Sequence, residues 1–359
     1  MMCLLAAIML LPVRAQAVST QASSAILMDG ESGRVLYGQD IHQPRLIASI
    51  TKLMTALVAA ERCKDPEEEI IVLPEWTGIE GSSIYLVPGE KVTFRELLYG
   101  MLLQSGNDAA VAAACWIAGD EASFADLMNQ KAAELGMTNS SFANASGLNQ
   151  EGHYSTAYDM ALLAQACLQN ELVAAACAAR SITIGARTFV NHNKLLHRYD
   201  GCIGMKTGYT ERAGRTLVSA ARRNGQTLIC VTLNDADDWN DHEKLFDYGF
   251  SVYPNATLCE ERQGFGRIAV EGSLLPTVEI AAIKQVRYPL KEGEYPEIAV
   301  EKPDRITAPF LSGETVGKVI WTLNGEKICE TDLISVHGAG RDLTVSKRLR
   351  DRFLSWMKF

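Results

Sequence analysis

No C-x-x-C pair and no compact set of His and Cys residues occurs in the 359-residue chain, although it holds 9 cysteines and 6 histidines. Neither a metal site nor a small disulfide scaffold is therefore indicated, and nothing in the sequence calls for a cofactor. Cys115, Cys167 and Cys230 stand in apolar runs and read as reduced, buried thiols acting as small hydrophobes. A basic excess is also missing. The 34 Lys and Arg against 43 Asp and Glu leave a formal net charge of -9, so no overall basic field draws nucleic acid. The apolar run Met2 to Pro12 is too short for a comfortable membrane span. No internal repeat is evident.

What is present is the composition of a soluble globular protein, 47% apolar and 21% charged, in a chain long enough for two domains. The run Met2 to Pro12, followed by Arg14 and the A-x-A pattern Ala15-Gln16-Ala17, reads as an export signal over residues 1–17, without the usual positive residues in front. A buried N-terminal helix is the alternative. Beyond it, Ala25–Asp29 and Arg34–Tyr37 flank Gly30-Glu31-Ser32-Gly33 and predict a β-hairpin. Ile50, Leu53, Met54, Leu57 and Val58 recur at helical spacing in a helix beginning near Ser49. A second helix is expected over Val92–Leu103, opened by the capping-box pair Thr93 and Glu96, with others over Ala109–Ile117 and Ala157–Leu168. Leu217–Ala221 and Thr227–Leu233 bracket Asn224-Gly225, a hairpin signal. Helices between strands at both ends predict an α+β domain with an antiparallel sheet, over residues 22–256.

Short apolar stretches broken by Gly and Pro then predict a small all-β domain over residues 262–338. Residues 343–359 change again. Val345, Leu349, Phe353, Trp356 and Met357 share one helical face while Lys347, Arg348, Arg350, Arg352 and Lys358 occupy the rest, which suits a helix lying in a membrane interface. A helix docked on its own domain or on a partner is the other reading.

Three elements carry the chemistry: Ser49-Ile50-Thr51-Lys52, Ser105-Gly106-Asn107 and Lys206-Thr207-Gly208. They supply a nucleophilic hydroxyl, amines to manage its proton and an amide to position a substrate, the needs of serine acyl transfer. S-x-x-K arises by chance about once in such a chain, and Ser355-Trp356-Met357-Lys358 is a second copy. Lys-Thr-Gly is rarer, roughly one chance in ten. At a helix start Ser49 meets unpaired backbone donors, and Lys52 lies one turn on. To take a proton Lys52 must be neutral, which burial or a second cation such as Lys206 promotes. Taken singly, each element also has a plain reading: a helix cap with a solvated lysine, a helix-ending loop, and an exposed turn.

The surrounding residues make the pattern specific. Ala48–Thr55, Leu97–Ala109, Ser146-Gly147-Leu148, His153 with Ser155-Thr156-Ala157 and Asp159-Met160, Asn193–Leu196, and Gly204–Thr210 followed by Ala213-Gly214 recur in order. Over nearly its whole length the chain resembles the serine D-Ala-D-Ala carboxypeptidases among the low-molecular-mass penicillin-binding proteins, peptidase family S11. That resemblance implies a β-lactamase/transpeptidase-like catalytic fold. It implies Ser49 as nucleophile, Lys52 as base, and proton transfer assisted by Ser105 and Lys206. It also implies an oxyanion hole from the backbone N–H groups of Ser49 and Tyr209, with Asn107, Thr207, Gly208 and Thr210 binding substrate. The implied partners are a peptidoglycan stem peptide ending in D-Ala-D-Ala, β-lactams, and the outer face of the bacterial cytoplasmic membrane, reached through a β-rich stalk and the terminal helix.

Departures from the family pattern are visible. Tyr209 stands where some relatives have His, and Asp238-Trp239-Asn240-Asp241-His242 stands where others have an arginine, which leaves the source of carboxylate recognition open. His153 and Asp159 read as structural. A β-lactamase shares all three elements, although Ser105-Gly106-Asn107 replaces the Ser-Asp-Asn of class A enzymes, and a weakly catalytic penicillin- or wall-binding protein is a further alternative.

Overall fold

In the computed structural model, which describes residues 18–342 together with Leu349, Arg352 and Trp356, the apolar run Ser24–Asp29 forms a first strand, β1, buried along its whole length. The expected export signal and most of the expected terminal helix lie outside the described residues. Asp29 closes the first turn by accepting from the Ser32 backbone N–H and hydroxyl at 2.8 and 2.7 Å, and the chain returns as β2 (Val35–Gln39). A 3-10 turn over Ala48–Thr51 then feeds α1 (Lys52–Arg62). Lys52 to Ala60 are all buried, so α1 is a helix enclosed on every side rather than an amphipathic one.

A short hairpin, β3 (Glu69–Ile71) with β4 (Lys91–Thr93), leads into α2 (Phe94–Leu103). The helix starts two residues later than expected because Val92 and Thr93 pair with β3. Thr93 Oγ1 caps it by accepting the Glu96 N–H at 3.1 Å. The Glu96 carboxylate does not complete the reciprocal box. It pairs instead with Arg187 at 2.8 Å, a tertiary partner that outweighs the local one. Next come α3 (Asn107–Ala118), α4 (Glu121–Glu134), α5 (Ala157–Gln169) and α6 (Glu171–Ala178). Of these, α4 and α6 are not among the helices the sequence predicts, and α4 carries little apolar periodicity; Asp120 caps α4 by accepting the Ser123 N–H at 2.7 Å.

The hairpin β5 (Ser181–Ile184) and β6 (Arg187–Val190) and the single turn α7 (Leu195–Arg198) precede three long strands, β7 (Cys202–Thr210), β8 (Gly214–Arg223) and β9 (Gln226–Leu233). Asn224 and Gly225 both take positive φ in the β8/β9 turn, as an Asn-Gly hairpin requires. Helix α8 (Asp238–Val252) follows. The sheet order β2-β1-β9-β8-β7, antiparallel throughout, leaves β7 as an end strand.

The chain divides into two compact units between Val252 and Tyr253. The second unit holds β10 (Asn255–Cys259), β11 (Gly264–Glu271), β12 (Thr277–Ala282), β13 (Val286–Pro289), β14 (Glu297–Glu301), β15 (Arg305–Thr307), β16 (Thr315–Leu323) and β17 (Glu326–Ser335). Six of these strands form one sheet in the order β14-β16-β17-β12-β11-β15, and β10 pairs with β13. Its separate core packs Ile268, Ile280, Val319, Trp321 and Leu333. The α+β class of the first unit and the all-β character of the second agree with the periodicities read from sequence.

Candidate active site

Ser49 lies in the 3-10 turn, and Lys52 is the first residue of α1. The tighter turn still brings the two side chains together, with 3.1 Å between Lys52 Nζ and Ser49 Oγ. The same nitrogen is 2.7 Å from Asn107 Oδ1 and 2.5 Å from the Ser146 carbonyl oxygen. Those two oxygens can only accept. A neutral amine has two N–H donors and one lone pair, so once Asn107 and Ser146 take the donors the lone pair is left for the Ser49 hydroxyl. Two glycines permit this crowding. A Cβ on Gly147 would stand 2.0 Å from the Ala48 carbonyl, and one on Gly208 would stand 3.0 Å from the Ser49 nitrogen.

Electrostatics favour the neutral amine. Lys52 is wholly buried and Lys206 is 1% exposed, and neither forms an ion pair among the described residues. Burial pushes Lys52 well below the ordinary lysine range, the Lys206 charge pushes it further, and Asp108 opposes both. Lys206 is itself pushed down to about 7 by burial, with Cys177 opposing. A lysine so placed gives up its proton near neutral pH.

Ser105 lies in the turn between α2 and α3, and Asn107 is the first residue of α3. Ser105 has φ 64°, a left-handed conformation uncommon for a serine, and its side chain lines the cleft. Ala48 and Met205, the residues before Ser49 and Lys206, also have positive φ, so each element contains or follows a strained residue. Asn107 differs from the sequence expectation. Oδ1 accepts from Lys52 and Nδ2 donates to the Glu80 carbonyl at 2.5 Å, so both ends of the amide are occupied by protein. The side chain steadies the lysine instead of lining the cleft.

Thr207, Gly208 and Tyr209 of β7 line a cleft of about 360 Å³ together with Ser49 and Ser105. The Lys206 amine donates to the Thr207 carbonyl at 2.9 Å. Tyr209 is 65% exposed and lines the same cleft as Ser49. Thr210 is not part of this lining. Its hydroxyl donates to Asn149 Oδ1 at 3.2 Å and accepts from the Ala213 N–H at 3.1 Å, which ties down the β7/β8 turn.

Several contributors were not singled out from sequence. The Ser146 carbonyl is invisible to side-chain reasoning, although Ser146-Gly147-Leu148 was among the matched pieces. Asp108 lies directly after Asn107 and accepts from the Ile84 and Leu86 N–H groups at 3.0 and 3.1 Å, which folds the segment beside Ser82 onto the cleft. Arg215, Asp238 and Trp239 also line the cleft. His153 and Asp159 have structural partners. The His153 ring accepts the Ala143 N–H at Nδ1, so Nε2 carries the proton 2.8 Å from Thr51 Oγ1, while Asp159 accepts from Asn139 and Ser140.

The same order of elements and the same two-unit fold recur in known proteins. Residues 12–237 match the family described as D-alanyl-D-alanine carboxypeptidase, and residues 257–337 match the penicillin-binding protein 5, C-terminal domain. The chain is 32% identical over 333 residues to D-alanyl-D-alanine carboxypeptidase DacF of Bacillus subtilis (strain 168), covering 89% of this chain and 86% of that one. It is 34% identical over 341 residues to D-alanyl-D-alanine carboxypeptidase DacC of Escherichia coli (strain K12), covering 89% and 84%. Among solved structures, penicillin binding protein 5 from Haemophilus influenzae aligns with a TM-score of 0.77 at 25% identity, over 91% of this chain and 99% of that one. With a buried amine set against a hydroxyl of the cleft and an end strand along it, and with relatives of this extent, the chain belongs to the D-alanyl-D-alanine carboxypeptidase family.

Proposed function

We propose that the protein is a serine D-Ala-D-Ala carboxypeptidase that removes the terminal D-alanine of peptidoglycan stem pentapeptides. The observation that carries the mechanism is the Lys52 nitrogen, held by two acceptors with its third partner the Ser49 hydroxyl. Ser49 Oγ attacks the carbonyl between the two D-alanines as Lys52 takes its proton. The backbone N–H groups of Ser49 and Tyr209 receive the oxyanion. The C–N bond then breaks as Ser105, assisted by Lys206, relays the proton from Lys52 to the leaving amine, and water releases the shortened peptide from Ser49. As the end strand of its sheet, β7 offers an edge along which the peptide pairs, with Thr207 and Gly208 bordering it. The same attack on a β-lactam ring yields a lasting acyl-enzyme.

The assay is release of D-alanine from a diacyl-Lys-D-Ala-D-Ala peptide, with labelling by a fluorescent penicillin alongside. Wild type should do both and Ser49→Ala neither. Binding of muropeptide without D-alanine release would overturn the reading, and rapid turnover of penicillin would reassign the protein as a β-lactamase.

We assign catalysis to residues 22–256, a stalk to 262–338 and attachment to the outer face of the cytoplasmic membrane to 343–359. The signal-like residues 1–17 and the basic amphipathic pattern of the last segment support this, as do the exposed, helical positions Leu349 and Trp356, seven residues apart. Deleting residues 343–359 should release the protein from membranes with its activity intact; unchanged sedimentation with membranes would refute the anchor.

A further inference from the structure

A substrate of this kind ends in a carboxylate, so the cleft needs a cation near the residue that leaves. The segment Asp238–His242 brings acids where some relatives have an arginine. The structure sets an arginine against that segment from another element. Arg215 of β8 donates from Nε and Nη2 to Asp238 Oδ2 and Oδ1 at 3.0 and 2.7 Å, and its guanidinium carbon lies 5.5 Å from the centre of the Trp239 ring. Asp238 is 3% exposed, whereas Arg215 is 42% exposed.

Asp238 is the first residue of α8 and accepts the Trp239 N–H at 2.8 Å, so the positive end of the helix shares its charge. A guanidinium carries five N–H donors in a rigid fork. Two go to Asp238, and the described residues claim none of the others. The fork is therefore ordered and still able to donate, which lowers the entropy lost on binding. In the β7/β8 register Arg215 sits opposite Tyr209, the residue after Lys206-Thr207-Gly208, and both line the cleft.

We propose that Arg215, ordered by Asp238 and Trp239, receives the terminal carboxylate of the substrate. The assignment rests on the carboxypeptidase reading. The strand supplies the cation and the helix supplies its anchor, so an acid at the start of α8 supports carboxylate recognition.

The test compares kcat/KM for a diacyl-Lys-D-Ala-D-Ala peptide with that for the same peptide ending in a carboxamide. Wild type should prefer the acid by about 10- to 100-fold, the worth of a charge-assisted hydrogen bond. Arg215→Gln should bring the ratio close to one, and Arg215→Lys, which keeps the charge without the fork, should retain part of it. Asp238→Asn should give an intermediate ratio. Thermal unfolding checks that each variant folds; should Arg215→Gln not fold, Arg215→Lys carries the comparison. Equal losses on both peptides, with the ratio unchanged, would mean that Arg215 only holds the rim together and would overturn the proposal. So would a ratio that survives Arg215→Gln and collapses in Lys194→Gln, Lys194 being another exposed cation of the cleft. Wild-type protein that cleaves neither peptide would instead refute the carboxypeptidase reading itself.

Discussion

The buried amines bonded to Ser49 and Thr207 and the guanidinium that lines the cleft are held in opposite ways. Lys52 and Lys206 are enclosed, lack a carboxylate partner among the described residues and are pushed toward the neutral state. Arg215 is partly exposed and fixed by a buried carboxylate, and a guanidinium stays charged in proteins. Desolvation frees a lone pair on the buried amines, whereas pairing keeps the charge of the guanidinium in place. Lysine and arginine are thus sorted by whether the chemistry needs the proton to leave or to stay.

The first way to break this contrast is Asn107→Ala. It removes one acceptor of the Lys52 nitrogen and leaves the Glu80 carbonyl without the Asn107 donor, so the lone pair is no longer aimed. Acylation by penicillin should slow by about 100-fold or more, the cost of misplacing a reacting group, with the fold retained by circular dichroism. Loss of less than a few-fold would show that burial alone prepares the base.

A smaller effect, on stability, sharpens the contrast from the other lysine. In the unfolded chain Lys206 keeps its proton up to about 10.5, but in the folded chain only up to about 7. Unfolding therefore takes up a proton between those values, and wild-type stability rises with pH across that window. Lys206→Met abolishes this dependence. The variant should be more stable than wild type at pH 7, and the gain should fade toward pH 10, as read by denaturant midpoints. A gain that does not change with pH would assign it to packing.

Much of the catalytic unit was legible because its signals are local. Thr93 caps α2, Asn224-Gly225 turns between β8 and β9, and the three-residue spacing of Ser49 and Lys52 brings their side chains together even in a 3-10 turn. What escaped depends on distant partners. Glu96 left its capping box for Arg187, 91 residues away. The Ser146 carbonyl meets Lys52 across 94 residues, and Asn107 meets Lys52 and the Glu80 carbonyl, 55 and 27 residues away. Helix α8 is not among the predicted helices, and its first turn carries two acids, Asp238 and Asp241, that lie buried. No local pattern marks Arg215, and only the fold sets it beside Asp238.

The position of β7 at the end of its sheet has a consequence for selectivity. A peptide that docks as an added strand is gripped through its main chain, and main-chain bonds are the same whatever side chains it carries. On the proposed function, such an edge measures the direction and spacing of a peptide and leaves the choice of residues to the ends of the cleft. Stem peptides that differ at their third residue should then be processed at similar rates, so that one enzyme serves walls of more than one composition.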